Sequence, residues 1–271
     1  MDENEDGTAS YDATGVGQLE TIWGEGFLSP GGAAEVGRII AGVGIEGADV
    51  LDIGCGTGGA ALVLAVEHGA RSVTGVDVES YVVGEATQRV AHRGEAGRVR
   101  FLRVPPGPLP FPDSSFDVVF SKDAIIHVQD KRALYAEARR VLRPGGALCV
   151  SDWFRGEGAG LDADVDAFIA SSGEEFFMQS LHQGGELVTS AEFVDVTLED
   201  RCEWYHAEAT EELSRVQGTL RDTFLSNLGV EVYDGTVKFW EVLVEATRRG
   251  VLRPGHIRAR KPNQGQHAPA P

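Results

Sequence analysis

Apolar residues along this chain alternate between two periods. Short, nearly continuous apolar runs at 49–53, 72–78, 98–104, 116–121 and 147–152 have the length of strands covered on both faces. Between them, 58–68, 79–93 and 131–142 carry the pattern of helices, and Arg143-Pro144-Gly145-Gly146 stops the last. Strand and helix in alternation predict an α/β fold with a doubly wound, mostly parallel sheet. Ahead of it, 11–26 puts Val16, Leu19, Ile22 and Trp23 on one helical face, a turn-rich stretch follows at 24–32, and 33–43 reads as a second helix. Beyond Arg155 the pattern weakens. Residues 156–192 are interrupted by glycine and read as a helical cap, 193–198 as a sixth strand, 207–228 and 237–249 as amphipathic helices, and 256–260 as a last edge strand. The expected organisation is a single domain over 11–261, with a lid helix segment at 11–32 and a cap at about 156–192. It is flanked by a disordered acidic start at 1–10 and a disordered tail at 262–271.

In such a sheet the ligand crevice lies beyond the carboxyl ends of the strands. That rule gathers 54–59, Asp77, 121–127 and 152–155 around one pocket. The run Val50-Leu51-Asp52-Ile53-Gly54-Cys55-Gly56-Thr57-Gly58-Gly59 reads as strand, tight turn and helix start. Glycine is needed there because a backbone that bends sharply against a ligand has no room for a Cβ. Asp52 would serve a diphosphate poorly. Asp77 lies 23 residues beyond Gly54, near the ~20 at which a carboxylate takes a ribose diol. A cofactor with a ribose, a positive charge and no phosphate fits both. A dinucleotide-binding turn has the spacing Gly-x-Gly-x-x-Gly, whereas Gly54, Gly56, Gly58 and Gly59 follow Gly-x-Gly-x-Gly more closely. A dinucleotide oxidoreductase, or a nucleotide-fold binding protein without catalysis, are the competing readings.

Charge narrows the partners. The chain has 24 basic and 42 acidic side chains, a net charge of −18, which argues against nucleic acid. It is compatible with a cationic small molecule drawn in by the field, or simply with solubility. No apolar run approaches the ~20 residues of a membrane span, and the acidic start has no signal-peptide segment. Three separated cysteines, Cys55, Cys149 and Cys202, suggest a reduced, cytoplasmic protein. No cysteine/histidine cluster has metal-ligand spacing, so no metal is expected.

The residues LDIGCGTGG and VTGVDV resemble the first two motifs of class I methyltransferases. The resemblance implies S-adenosyl-L-methionine as cofactor and S-adenosyl-L-homocysteine as its product. A narrower likeness lies in Tyr11, in Trp23-Gly24-Glu25-Gly26-Phe27-Leu28-Ser29-Pro30-Gly31-Gly32, in Ser121-Lys122-Asp123-Ala124-Ile125-Ile126-His127, and in Asp234-Gly235 with Arg248-Arg249-Gly250. These resemble phosphoethanolamine N-methyltransferases, and the segments around Trp23-Gly24 and Asp123-Ala124 are also similar to sarcosine/dimethylglycine N-methyltransferases. The likeness covers 11–155, and 190–260 more loosely. It implies that Tyr11 and His127 form a catalytic pair that latches the lid and takes a proton, with Asp123 beside the substrate nitrogen. Ser29, Asp52, Gly54, Gly56, Gly58, Val78, Ser121 and Lys122 would line the cofactor, and Asp77 would take its ribose. Pro105 stands where the phosphoethanolamine enzymes carry an Asp that reads adenine, which leaves that task to the backbone around Val104.

The residues also speak for themselves. A protonated amine cannot attack, and a histidine, with its unperturbed pKa of ~6.5, suits the base. A core histidine capping the next helix is the alternative for His127, and a plain aromatic anchor the alternative for Tyr11. Tyr11, Trp153, Phe154, Phe168, Trp204 and Tyr205 are candidates for a cage around a methylated ammonium, or for ordinary core. Trp153, Phe154, Arg155 and Phe168 are taken as the substrate-binding set, while Arg201 and Lys238 are further candidates for a substrate carboxylate. The tyrosine/arginine cluster with which the resembled enzymes grip a substrate phosphate has no clear counterpart in 168–182, which argues against a phosphobase. The expected function is methyl transfer to the nitrogen of a small amine or amino acid by in-line displacement. Methylation of carbon or oxygen on a small secondary metabolite is the alternative.

Overall fold

The run at 49–53 is the strand on which the sheet is built. β1 (Asp49–Ile53) pairs in parallel with β2 (Ser72–Asp77) on one side and, beyond β3 (Val99–Arg103) in the chain, with β4 (Phe116–Lys122) on the other. Val50 and Leu51 are both fully buried, one on each face, which is why the run is apolar apart from Asp49 and Asp52. The computed structural model describes residues 11–158, 161–173 and 175–263. The expectations for 1–10 and for nearly all of the tail at 262–271 lie outside the described residues.

Among the described residues one seven-stranded sheet has the order β3-β2-β1-β4-β5-β7-β6, with β5 (Leu142–Asp152), β6 (Val194–Asp200) and β7 (Gly255–Arg260) completing it. β7 runs antiparallel to both β5 and β6. The strand at 256–260 is therefore no edge: it lies between its neighbours, and β6 is the edge. The strand order reverses between β1 and β4, and the crevice at their carboxyl ends is the natural binding place of such a sheet.

Helices cover both faces. On one, α2 (Gly32–Ile39), α3 (Gly59–Val66) and α4 (Ser80–His92) bury Val36, Ile39, Leu64, Ala86 and Val90 against β1–β3. On the other, α5 (Lys131–Val141) and α7 (Leu181–Ser190) bury Tyr135, Ala138 and Val188. α7 was expected within the cap, but it is a sheet helix. Gly184 and Gly185 let it settle on the sheet, since a Cβ at Gly184 would sit 2.9 Å from Ile257 Cδ1.

A third apolar cluster stands over the crevice. It joins the lid helix α1 (Ala13–Trp23) to α6 (Asp162–Ser172), α8 (Cys202–Gln217), α9 (Arg221–Asn227) and α10 (Val230–Arg248). The helix expected at 207–228 is two. α8 begins early because Asp200 Oδ1 accepts from Cys202 N at 2.8 Å, and the helix breaks at Gly218 (φ −111°, ψ −100°) before α9. α10 starts seven residues before the expected 237 (237 − 230) and runs straight through Asp234-Gly235, held by the buried faces of Thr236, Trp240 and Leu243.

Candidate active site

The turn after β1 is built by conformation and by contact. Gly54, Gly56 and Gly58 all have positive φ (72°, 49° and 88°). At Gly54 a Cβ would lie 2.1 Å from Ala124 Cβ in the segment after β4, so only glycine fits. Gly54 N and Cys55 N donate to Val76 O at 2.8 and 3.1 Å, which pins the turn to β2. Asp77 reinforces it: Oδ2 accepts from Gly56 N at 2.9 Å and Oδ1 from Glu79 N at 3.1 Å. Burial pushes the Asp77 pKa up. Asp52 is fully buried at the foot of the turn, and its Oδ2 has no hydrogen-bond partner. Burial first, and then the charge of Asp77, raise its pKa to about 7, with Lys122 opposing. A buried acceptor left open in this way is a place for a donor, such as an ammonium group.

The lid closes on this turn. α1 is capped by Asp12, whose carboxylate accepts from Thr14 N and Gly15 N, and it ends at Gly24. From its last turns, Glu20 accepts from Gly26 N at 3.0 Å, Thr57 Oγ1 at 2.7 Å and Arg89 Nη2 at 2.9 and 3.0 Å. Gly26 O accepts from Gly59 N at 2.9 Å. On the far side, Trp23 Nε1 donates to Glu212 Oε1 at 2.6 Å, and Trp240 Nε1 donates to Oε2 at 3.0 Å. Between lid and turn runs a narrow cleft lined by Gly26, Phe27, Leu28, Ser29, Asp52 and Lys122. Glu20 and Arg89, 69 residues apart, escaped the sequence reading because nothing local marks either. Glu212 did carry a signal: with Tyr205, Ala209 and Val216 it falls on the buried stripe of α8, an acid among apolar positions.

At the end of β4, Lys122 Nζ donates to Ser29 Oγ in the lid and to Asp123 Oδ2 at 2.8 Å. Ser121 Oγ donates to Ile53 O at 2.8 Å and so ties β4 to β1. Asp123 takes a left-handed conformation (φ 55°), held by its N–H to Ser151 O and by Ser151 Oγ donating to its Oδ1 at 3.1 Å. Such a conformation is costly for a residue other than glycine and persists only where its surroundings impose it. The 3₁₀ turn Ile125–His127 follows. Beneath it, buried Lys131 donates to Ile125 O and Val128 O, both at 2.7 Å. Asp152 lies fully buried alongside, its pKa far above the carboxylate range through burial and then the charge of Asp123.

This scaffold sets His127 against the lid. Its Nε2 is 3.3 Å from Tyr11 OH, and its ring meets Tyr11 and Phe176 edge-on at 6.0 and 5.2 Å. Burial lowers the His127 pKa below its ordinary 6.5; a backbone bond to Glu175 opposes this, and the charge of Lys131 adds to it. The imidazole is thus neutral at pH 7 and able to accept a proton.

The remaining expected residues divide. Trp153 packs against Phe168, Phe176 and Tyr205 at 6.5, 6.4 and 5.6 Å. Val104 N donates to Asp77 O at 2.9 Å, and Val78 O accepts from Arg103 Nε at 3.0 Å, so both stay beside Asp77. Phe154 belongs elsewhere. It is buried in the sheet core under α7, against Ile257 and Gly184, because the chain turns over just after β5 and presents Trp153 instead. Arg155 is paired with Asp162, and it lines an open cavity of about 520 Å³ with Lys131, Arg132, Asp166, Phe176 and Gln179. Arg201 is held by Glu35 at 2.9 Å and lies over Trp204.

Residues 51–150 match the family model described as a methyltransferase domain. A phosphoethanolamine N-methyltransferase of Triticum aestivum is 31% identical over 90% of this chain and 47% of its own length. The chain spans about half the length of the first curated relatives it matches. The structure of Haemonchus contortus phosphoethanolamine N-methyltransferase 2, in complex with phosphomonomethylethanolamine and S-adenosylhomocysteine, superposes with a TM-score of 0.87 at 29% identity, covering 94% of this chain and 59% of its own. A structure from Galdieria sulphuraria, described as a sarcosine dimethylglycine methyltransferase, shares the fold with a TM-score of 0.74 at 23% identity over 85% of each chain.

Proposed function

We propose that this chain, whose fold is that of the class I methyltransferases, transfers a methyl group from S-adenosyl-L-methionine to the nitrogen of a small amine. The observation that carries the reading is the contact of Tyr11 with His127 across the lid, one turn from Asp123. The names of the relatives support the same chemistry.

The residues present fit the cofactor. The open oxygen of Asp52 suits its ammonium group, Asp77 its ribose, and Lys122 with Ser29 its carboxylate. Gly54, Gly56 and Gly58 leave room for its approach, and the backbone at Val78 and Val104 flanks its base. When bound, the cofactor supplies an electrophilic methyl carbon on a sulfonium, so the reaction needs alignment more than covalent catalysis. Asp123 attracts and orients the protonated amine. Neutral His127 takes its proton and frees the nitrogen lone pair. Tyr11 holds the imidazole and closes the lid over it, while Trp153 and Phe176 offer ring faces to the cation. In this reading one domain over 11–261 holds the whole site. The three cysteines are buried and unbridged, which supports a reducing compartment, the cytoplasm. Among the described residues no helix is long and apolar enough to cross a membrane.

The test is calorimetric titration with S-adenosyl-L-homocysteine, followed by transfer of labelled methyl from S-adenosyl-L-methionine to a panel of amines. Micromolar binding and a labelled, N-methylated product are expected; failure to bind the homocysteine derivative sinks the reading.

A further inference from the structure

Asp123 and His127 account for the amine end of a substrate, and the far end needs a partner too. The aromatic rings run in contact from Tyr11 through His127, Phe176 and Trp153 to Tyr205. At the end of this arc two polar atoms, Trp153 Nε1 and Tyr205 OH, are buried without a hydrogen-bond partner, on rings 5.6 Å apart. Buried donors left unmatched are rare in folded proteins. Two of them on neighbouring rings mark a place where a ligand atom completes the structure.

Their surroundings select the ligand. Besides burial, the groups acting on the Tyr205 hydroxyl are all acids: Glu212 where it is ionised, Asp123 and Glu208. Of the three cations proposed from the sequence for an anionic group, Arg155 is engaged with Asp162 and Arg201 with Glu35, and Lys238 is exposed on α10. Lys122 is held by Ser29 and Asp123. Lys131, Arg132 and Arg155 line the open cavity at Phe176, whose lining includes neither Trp153 nor Tyr205. A phosphate dianion calls for guanidinium or ammonium donors, and here it would meet two neutral ones amid acids. A carboxylate faces the same mismatch to a lesser degree. An uncharged hydroxyl has two lone pairs for two donors and brings no charge into the negative field.

Resting on the N-methyltransferase reading, we infer that the substrate is a small amino alcohol, its ammonium at Asp123 and His127 and its hydroxyl oxygen accepting from Trp153 Nε1 and Tyr205 OH. Trp153 and Tyr205 are then the specificity residues that separate this chain from the phosphate-bearing ligand of the Haemonchus structure.

The experiment measures methyl transfer to ethanolamine and its mono- and dimethyl forms, to phosphoethanolamine, to sarcosine, and to N-methylpropylamine, which lacks the hydroxyl. The amino alcohols should exceed phosphoethanolamine and sarcosine in kcat/KM by at least about tenfold. Tyr205→Phe should raise the amino-alcohol KM about threefold to tenfold, with kcat, S-adenosyl-L-homocysteine affinity and N-methylpropylamine turnover nearly unchanged. Trp153→Phe, which removes the other donor, should also raise the amino-alcohol KM relative to that of N-methylpropylamine and serves if the first variant does not fold. Preference for phosphoethanolamine or sarcosine, or variants with unaltered KM, overturns the inference while leaving the N-methyltransferase reading in place. Cofactor binding with silence from every amine overturns both.

Discussion

Glu212 offers the sharpest physical test of how the lid is held. Its side chain is 1% exposed, yet it carries a carboxyl group between the indole N–H groups of Trp23 in α1 and Trp240 in α10. Burial raises its pKa from 4.5 to about 7, the two indoles opposing. The folded protein therefore binds this proton more tightly than the unfolded chain does. Its contribution to stability is complete below pH 4.5 and is lost as pH rises through about 7. At about 1.4 kcal/mol per pH unit, that displacement is worth about 3 kcal/mol. Glu212→Gln removes the titration. Its amide offers one acceptor oxygen to two donors, so one indole loses its partner at a pH-independent cost of about 1–3 kcal/mol. Urea unfolding followed by tryptophan fluorescence at pH 5, 6, 7 and 8 gives the stability difference between the two proteins. The wild-type advantage should be largest at pH 5 and shrink by about 2–3 kcal/mol by pH 8. A difference that stays flat, or grows with pH, refutes a buried, protonated Glu212.

The other predictions concern the site itself. His127→Ala should lower turnover roughly 10²–10⁴-fold with S-adenosyl-L-homocysteine affinity unchanged. In the wild type kcat/KM should rise with pH and level off from an apparent pKa below 6.5, because burial lowers that of His127; a plateau reached only above that value counts against His127 as the base. Glu20→Ala removes the acceptor shared by Gly26, Thr57 and Arg89. It should cost about 2 kcal/mol of stability, discounted for partial exposure, and weaken homocysteine-derivative binding at least about tenfold, read by thermal unfolding and calorimetry. Gly54→Ala puts a methyl where Ala124 Cβ already stands and should abolish cofactor binding. Adding Ala124→Gly should restore only part of it, because the positive φ at position 54 remains.

What the sequence made legible follows from what periodicity can report. The parallel strands at 49–53, 72–78 and 116–121 were readable because helices cover both of their faces, so most positions between their ends had to be apolar. The motif residues were readable because Gly54, Asp77, Asp123 and His127 sit at the carboxyl ends of those strands, where the topology collects them. β7 was misplaced for the opposite reason. Its His256, Arg258 and Arg260 gave it the polarity of an edge, yet it sits between two strands: His256 meets Glu35 at 2.9 Å and Arg258 meets Glu199 at 2.7 Å. The same holds for Glu20 with Arg89. In each case a charge that looks solvent-facing in its own segment is matched by a group tens or hundreds of residues away. A hydrophobic pattern records only which residues leave water without a partner, so charges that leave water together are invisible to it. Of those pairs, Glu20 with Arg89 fastens α1 to the turn after β1. A purely apolar lid would gain its stability from burial alone and bind with little dependence on orientation, whereas hydrogen-bonded charges close in one register. The elements hardest to read from the sequence are, for this reason, the ones that set Tyr11 on His127.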